Sequence, residues 1–187
     1  MRLFGVILAG GQGLRMGGAD KALLPLAGQP LIGHVIARFQ PQVEQLAISA
    51  NCDAGRFAGW GLPVLADTHS MGPLSGVLAA LHWAKGADAV VTVPVDCPFL
   101  PGDLAPRLLL AGLPAMACSG GRDHPVCAIW PVGLRGALAA FLASGAKPRV
   151  TDFLAQHGVA RAEFADARAF ANMNTPDDLL AAEAALG

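Results

Sequence analysis

The chain has 187 residues, of which 53% are hydrophobic and 14% charged, with a formal net charge of -1. That length fits a single domain spanning residues 1–187, and the apolar content excludes a disordered polar polymer. The near-neutral charge supplies no field to hold DNA or RNA, although a local basic loop is enough for a single nucleotide.

Runs rich in β-branched apolar residues alternate with helix-like segments, which predicts an α/β sandwich of parallel strands joined by crossover helices. In chain order the expected elements begin with a strand at Leu3–Ala9, a helix at Pro30–Phe39 and strands at Leu46–Ala50 and Val64–Ala66. A helix at Leu74–Lys85, a strand at Ala89–Val95 and a helix at Leu104–Ala111 follow. The last third reads as strand Val126–Trp130, helix Leu134–Ala143, strand Ala162–Phe164 and helix Pro176–Leu186. Several helices open on Pro and close on Gly, and Thr175 caps the last one. No repeat, linker or low-complexity segment divides the chain.

Mean hydropathy is positive, +0.47. Even so, Asp, Lys, Arg, Gly or Pro interrupts every apolar run short of the roughly 18–20 residues a membrane helix needs. The apolar opening leads into a glycine loop rather than a small-residue cleavage site, so a strand and a cytoplasmic location are expected. Cys52, Cys97, Cys118 and Cys127 form no C-x-x-C pair and are expected to be buried reduced thiols.

The segment Leu8-Ala9-Gly10-Gly11-Gln12-Gly13-Leu14-Arg15-Met16-Gly17-Gly18 follows the first strand and carries five glycines. Such a loop turns backbone N–H groups toward an anion, although a glycine cluster alone is equally a flexible turn. It matches neither familiar phosphate loop. The dinucleotide fingerprint requires glycine where Met16 stands, and the Walker pattern requires glycine where Asp20 precedes Lys21. Arg15 and Lys21 add two cations suited to a triphosphate, and neither has an acidic partner at i+4 on an evident helix.

Asp96 ends the run Val90-Val91-Thr92-Val93-Pro94-Val95, at the carboxyl edge where open α/β sheets bind ligands. A magnesium ion takes one or two protein carboxylates and completes its shell with phosphate and water, so one aspartate suffices; before Cys97-Pro98 it also reads as the start of a turn. Asn51 and Asp67 follow apolar runs in the same way, and both residue types are common strand ends. Gly72-Pro73-Leu74-Ser75-Gly76 opens a helix, its glycines permitting close approach of a ligand or of neighbouring backbone. His124 falls in an expected loop between apolar strands, suited to an anionic or heteroaromatic ligand or simply to the surface. Asn172 and Asn174 alternate in an extended segment, which would turn them to opposite faces, with Asn174 also suited to start the last helix. Lys147-Pro148-Arg149 is a small basic group.

The pattern Leu8-Ala9-Gly10-Gly11-x-x-x-Arg15-Met16-Gly17-x-x-Asp20-Lys21 resembles the signature of the molybdenum cofactor guanylyltransferases, within the wider pyrophosphorylase-like nucleotidyltransferases. The resemblance continues through Gly72-Pro73-Leu74-Ser75-Gly76, Asp96-Cys97-Pro98-Phe99-Leu100, Arg122-Asp123-His124-Pro125 and Asn172-Met173-Asn174-Thr175-Pro176, and so spans nearly the whole chain. Gly13 departs from it, standing where relatives often carry serine.

The resemblance implies a Rossmann-like nucleotidyltransferase fold, a three-layer sandwich with a mostly parallel central sheet. It implies transfer of GMP from GTP to the terminal phosphate of molybdopterin, with Mg²⁺ bound by Asp96 and with Arg15, Lys21 and Asp96 in catalytic roles. Leu8, Ala9, Gly10, Gly11, Arg15, Lys21, Asn51, Asp67 and Asp96 would contact the nucleotide. His124, Arg149, Asn172 and Asn174 would face molybdopterin in a second, C-terminal pocket. Molybdoenzymes or their chaperones are further expected partners, whereas nucleic acid and membranes are not. A cytidylyltransferase for the same pterin tends to carry Leu-Ala-Ala-Gly, so the second glycine of this loop points to guanine. A GTP-binding chaperone without turnover would have no need of both Lys21 and Asp96.

Overall fold

The computed structural model describes residues 1–10, 21–51, 53–66, 72–145 and 149–186. Its centre is a seven-stranded sheet ordered β5-β4-β1-β6-β8-β7-β9. The strands are β1 (Leu3–Leu8), β4 (Gln45–Ser49), β5 (Val64–Leu65), β6 (Ala89–Pro94), β7 (Ala115–Ser119), β8 (Arg122–Pro131) and β9 (Ala160–Phe164). β8 runs antiparallel to both its neighbours, and every other pairing is parallel. The expected mostly parallel sandwich is therefore present.

β1 and β6 read as continuous apolar runs because both faces of the sheet are covered. On one face α1 (Leu31–Phe39) and α3 (Leu104–Ala111) bury Ile32, Val35, Phe39, Leu104 and Leu108 against Ile7, Val91 and Val93. On the other, α2 (Pro73–Trp83), α4 (Arg135–Ala143) and α5 (Val150–Gln156) bury Leu74, Val77, Leu138 and Phe153 against Val6, Leu8 and Trp130. Gly5 makes the first contact possible: a Cβ there would lie 2.8 Å from the Phe39 ring and 2.9 Å from a Val43 methyl.

A third, smaller cluster joins α6 (Pro176–Leu186) to a hairpin of β2 (Pro25–Leu26) and β3 (Gln29–Pro30) through Leu26, Leu31, Met173 and Ala182. Ala27 and Gly28 turn this hairpin with φ of 48° and 78°, the positive values a two-residue hairpin loop requires. Glu183 of α6 accepts a hydrogen bond from the Ala27 N–H at 2.9 Å, so helix and turn are fixed to each other.

At the amino edge of the sheet the Arg2 N–H donates to Asp88 at 2.6 Å, and the Arg2 guanidinium pairs with Glu44 at 2.6 Å.

Three elements differ from the sequence reading. β7, Ala-Met-Ala-Cys-Ser, contains no β-branched residue and gives no strand signal, yet lies fully buried between β8 and β9. α5 is too short to show helical periodicity. β8 begins at Arg122, so His124 lies in a strand rather than in the expected loop. The register shifts between Met116 and Ala117, whose partners are Ala128 and His124. Pro125 falls in that irregularity, where its missing N–H removes no ladder bond.

Candidate functional site

β1 and β6 are neighbours with Leu8 opposite Pro94, and the ladder runs on past both as the Val95 N–H donates to the Leu8 carbonyl at 3.1 Å. Ala9 is held in turn by the Ser49 carbonyl at 2.8 Å. Leu8, Ala9 and Gly10 thus leave the sheet beside Asp96, at the carboxyl edge where α/β sheets bind ligands. Asn51 follows β4 at the same edge and is exposed. Gly11, Arg15 and Asp67 lie outside the described residues.

Lys21 opens a short 3-10 turn, Lys21–Leu23, and among the described residues its ammonium group has two partners. Nζ lies 2.5 Å from Asp96 Oδ2 and 2.6 Å from Asn174 Oδ1. The Lys21 and Asp96 side chains are only 20% and 15% exposed, so water screens the pair weakly and the charge-assisted bond is correspondingly strong. The acidic partner that Lys21 lacks at i+4 is supplied from just past the end of β6.

Asn172 and Asn174 reach this edge together. The Met173 N–H donates to the Asp96 carbonyl at 2.9 Å, and its side chain is buried in the cluster beneath α6. Asn174 meets Lys21, while Asn172 Oδ1 accepts from the Cys97 thiol at 2.9 Å. The expectation of opposite faces is corrected: residues i and i+2 of an extended segment project to one side, here toward the Asp96-Cys97 turn, and the intervening Met173 to the other. Hydrogen bonding with Cys127, then burial, push the Cys97 thiol well above its ordinary pKa, so it stays protonated and able to donate. Cys97, Cys118 and Cys127 are free and buried, as expected; Cys52 lies outside the described residues.

The last helix begins with a reciprocal cap. Asp178 Oδ2 accepts from the N–H groups of Asn174 at 2.9 Å and Thr175 at 2.8 Å, and Thr175 Oγ1 accepts from the Asp178 N–H at 3.2 Å. Thr175 caps the helix as the sequence predicts. The bond from the Asn174 N–H is the main reason the Asp178 carboxyl sits below its ordinary range, followed by the Thr175 bonds. The Thr175-x-x-Asp178 spacing is a recognisable capping signature, and it is the signal by which Asp178 could have been found.

His124 reaches the carboxyl edge because β8 runs backward and starts there. Its Nε2 lies 2.8 Å from the Ser119 hydroxyl, and its ring stacks on Phe170 at 4.4 Å between centroids. Burial, then the Arg122 charge, lower its pKa, so the ring is held neutral. Its neighbour Asp123 pairs with Arg161 at 2.7 Å. Nothing in the local sequence marks Ser119 or Phe170 as partners of this histidine. Arg149 stands apart, exposed at the start of α5 on the other face of the sheet. Gly76, where a Cβ would lie 2.9 Å from both Leu8 and the Ser49 hydroxyl, lets α2 close onto β1 and β4. Packing accounts for it.

Residues 5–161 match the family described as the MobA-like NTP transferase domain. A molybdenum cofactor guanylyltransferase of Cereibacter sphaeroides is 62% identical over 190 aligned positions, covering 100% of this chain and 98% of its relative. A protein of the same description from Mesorhizobium japonicum is 48% identical, covering 94% of this chain and 91% of its own. Among solved structures, molybdopterin-guanine dinucleotide biosynthesis protein A from Archaeoglobus fulgidus shares the fold with a TM-score of 0.78 at 22% identity, covering 98% of both chains.

Proposed function

The chain belongs to the MobA-like NTP transferase family, and on that premise we propose that it transfers GMP from GTP to molybdopterin. An oxygen of the pterin's terminal phosphate attacks the α-phosphorus, the bond from that phosphorus to the β-phosphate oxygen breaks, and pyrophosphate leaves as the guanine dinucleotide cofactor forms. The observation that carries this reading is the convergence of the Lys21 ammonium, the Asp96 carboxylate and the Asn174 amide at the carboxyl edge of the sheet.

Two polyanions must be brought together, so the residues required are ones that neutralise charge and fix orientation, with no covalent enzyme intermediate. Lys21 offers its ammonium to the triphosphate, and Asn174, together with Asp96, fixes the position of that ammonium. Leu8, Ala9 and Gly10, with Gly11 and Arg15 of the loop, complete the nucleotide side together with Asn51 and Asp67. Asn172, fixed by Cys97, and the neutral His124 ring line the same edge farther along, on the acceptor side. The Arg149 guanidinium is available to the acceptor phosphate.

Asp96 fits a magnesium ligand. It is a partly exposed carboxylate at the ligand edge, and among the described residues no three His, Cys, Asp or Glu side chains form a closed metal cage. A hard cation that keeps water and binds phosphate oxygens suits that sparse donor set. Bound there, Mg²⁺ would neutralise charge on the triphosphate. We place the reaction in the cytoplasm, a reading supported by the three free buried thiols. No described helix is long and apolar enough to cross a membrane.

The deciding experiment incubates the protein with each of the four nucleoside triphosphates, Mg²⁺ and molybdopterin, and measures pyrophosphate and the nucleotide attached. GTP alone should yield product; transfer of CMP, or no transfer at all, overturns the reading.

A further inference from the structure

From the cap of α6 we infer that Asp178 is a positioning residue for GTP binding, acting through Asn174 on Lys21; the inference rests on the reading of Lys21 as a triphosphate contact. A capping aspartate ordinarily serves only its helix. Here one oxygen, Oδ2, accepts two N–H groups, and the first belongs to Asn174, a residue ahead of the cap whose side chain grips the Lys21 ammonium at 2.6 Å. The Asn174 backbone is therefore fixed from the helix side by Asp178 and from the sheet side by the adjacent Met173 N–H on Asp96. With both sides held, the amide oxygen has a defined place.

The other end of the linkage is equally firm. Lys21 opens the short turn that leads into the β2–β3 hairpin, and that hairpin is tied to α6 by Glu183 on the Ala27 N–H and by the shared Leu26, Leu31, Met173 and Ala182 cluster. Helix and lysine segment therefore share one rigid frame. The Asp178 carboxylate also feels the Lys21 charge. Removing the carboxylate would free Asn174 and leave Lys21 held, among the described residues, by Asp96. Its ammonium would then be less available to phosphate.

The two halves of the cap allow a test that separates this role from helix stability. Thr175→Ala removes the bond to the Asp178 N–H but leaves Asp178 on Asn174. Asp178→Ala removes the carboxylate's bonds to the Asn174 and Thr175 N–H groups but keeps the backbone N–H of residue 178 on Thr175 Oγ1. Asp178→Asn keeps a single carbonyl oxygen able to accept the same two N–H groups. Each folded variant is titrated directly with GTP and Mg²⁺, melted, and assayed for KM and kcat with molybdopterin. Asp178→Ala should weaken GTP binding about tenfold, the loss appearing in KM more than in kcat. Thr175→Ala should melt earlier yet bind GTP within about twofold of the unaltered chain, and Asp178→Asn should recover most of the affinity lost in the alanine variant. The inference is overturned if Thr175→Ala and Asp178→Ala weaken GTP equally, or if a folded Asp178→Ala binds GTP normally. If Asp178→Ala fails to fold, Asp178→Leu, which fills a similar volume without an acceptor, decides in its place: a loss of about tenfold in GTP affinity that Asp178→Asn does not show sustains the inference, and affinity within about twofold of the unaltered chain overturns it. An unaltered chain that binds GTP but transfers nothing to molybdopterin would instead strike at the proposed reaction, and leave the affinity comparison standing.

Discussion

Asn174 Oδ1 lies 2.6 Å from Lys21 Nζ, although the two residues are 153 positions apart. The contact ties a residue expected at the acceptor pocket to one expected at the triphosphate, and it changes what the asparagine should do when removed. Asn174→Ala should weaken GTP binding about tenfold, because a hydrogen bond to a charged group is lost. Arg149→Ala, exposed at the start of α5, should leave GTP affinity within about twofold while lowering transfer. Isothermal titration with GTP, read beside single-turnover transfer, separates the two; equal losses of affinity would refute the distinction.

Asp96 has a carboxylate at the ligand edge, and among the described residues it belongs to no group of three or more His, Cys, Asp or Glu side chains able to hold a metal. Asp96→Ala should therefore lower turnover by about 10²-fold or more, the usual cost of a positioned electrostatic group at a transferred phosphoryl. The unaltered enzyme should stop when the divalent cation is chelated and resume when Mg²⁺ is restored. A rate indifferent to chelation would remove Asp96 from the metal.

Gly5 faces a ring that has no room to retreat, since Phe39 is wholly buried. Gly5→Ala should cost about 1–3 kcal/mol by overpacking, measured as a lower urea midpoint. An unchanged midpoint would show that α1 can shift outward without loss.

His124 provides a pH signature. Burial and Arg122 lower its pKa from the ordinary 6.5. The unfolded chain then binds this proton more readily than the folded one, so the stabilisation is fully present above about pH 6.5 and is lost as pH falls through the lower folded value. Melting temperatures at about pH 7.5 and 5.5 should differ more for the unaltered protein than for His124→Gln, since glutamine at that position carries no titrating proton. Parallel curves would assign the acid sensitivity elsewhere.

Much of this architecture is legible along the chain because its central strands are wet on neither face. Leu3–Leu8 and Ala89–Pro94 announce themselves as unbroken apolar runs. Leu104–Ala111 and Pro176–Leu186 match their expected helices end to end. β7 escaped because small residues can fill a buried strand as well as β-branched ones when helix and neighbours already supply the bulk. His124 reads as a loop residue because a proline normally ends a strand, and only the pairing with β7 reveals the irregularity that accommodates it. At the site, Lys21 and Asp96 are each conspicuous in their motifs, but the contact of Lys21 with Asn174 depends on where α6 docks. No local pattern encodes that.

The ties of Arg2 to Asp88 and Glu44 have a practical side. They anchor the start of the chain at the amino edge of the sheet, and β1, six residues long, separates it from the edge bearing Lys21 and Asp96 by about 20 Å. Met1 is itself well exposed there. A fluorophore, an affinity tag or a surface linker attached at that end would hold the molecule with its reactive edge turned away from the support, open to two bulky substrates arriving from solution.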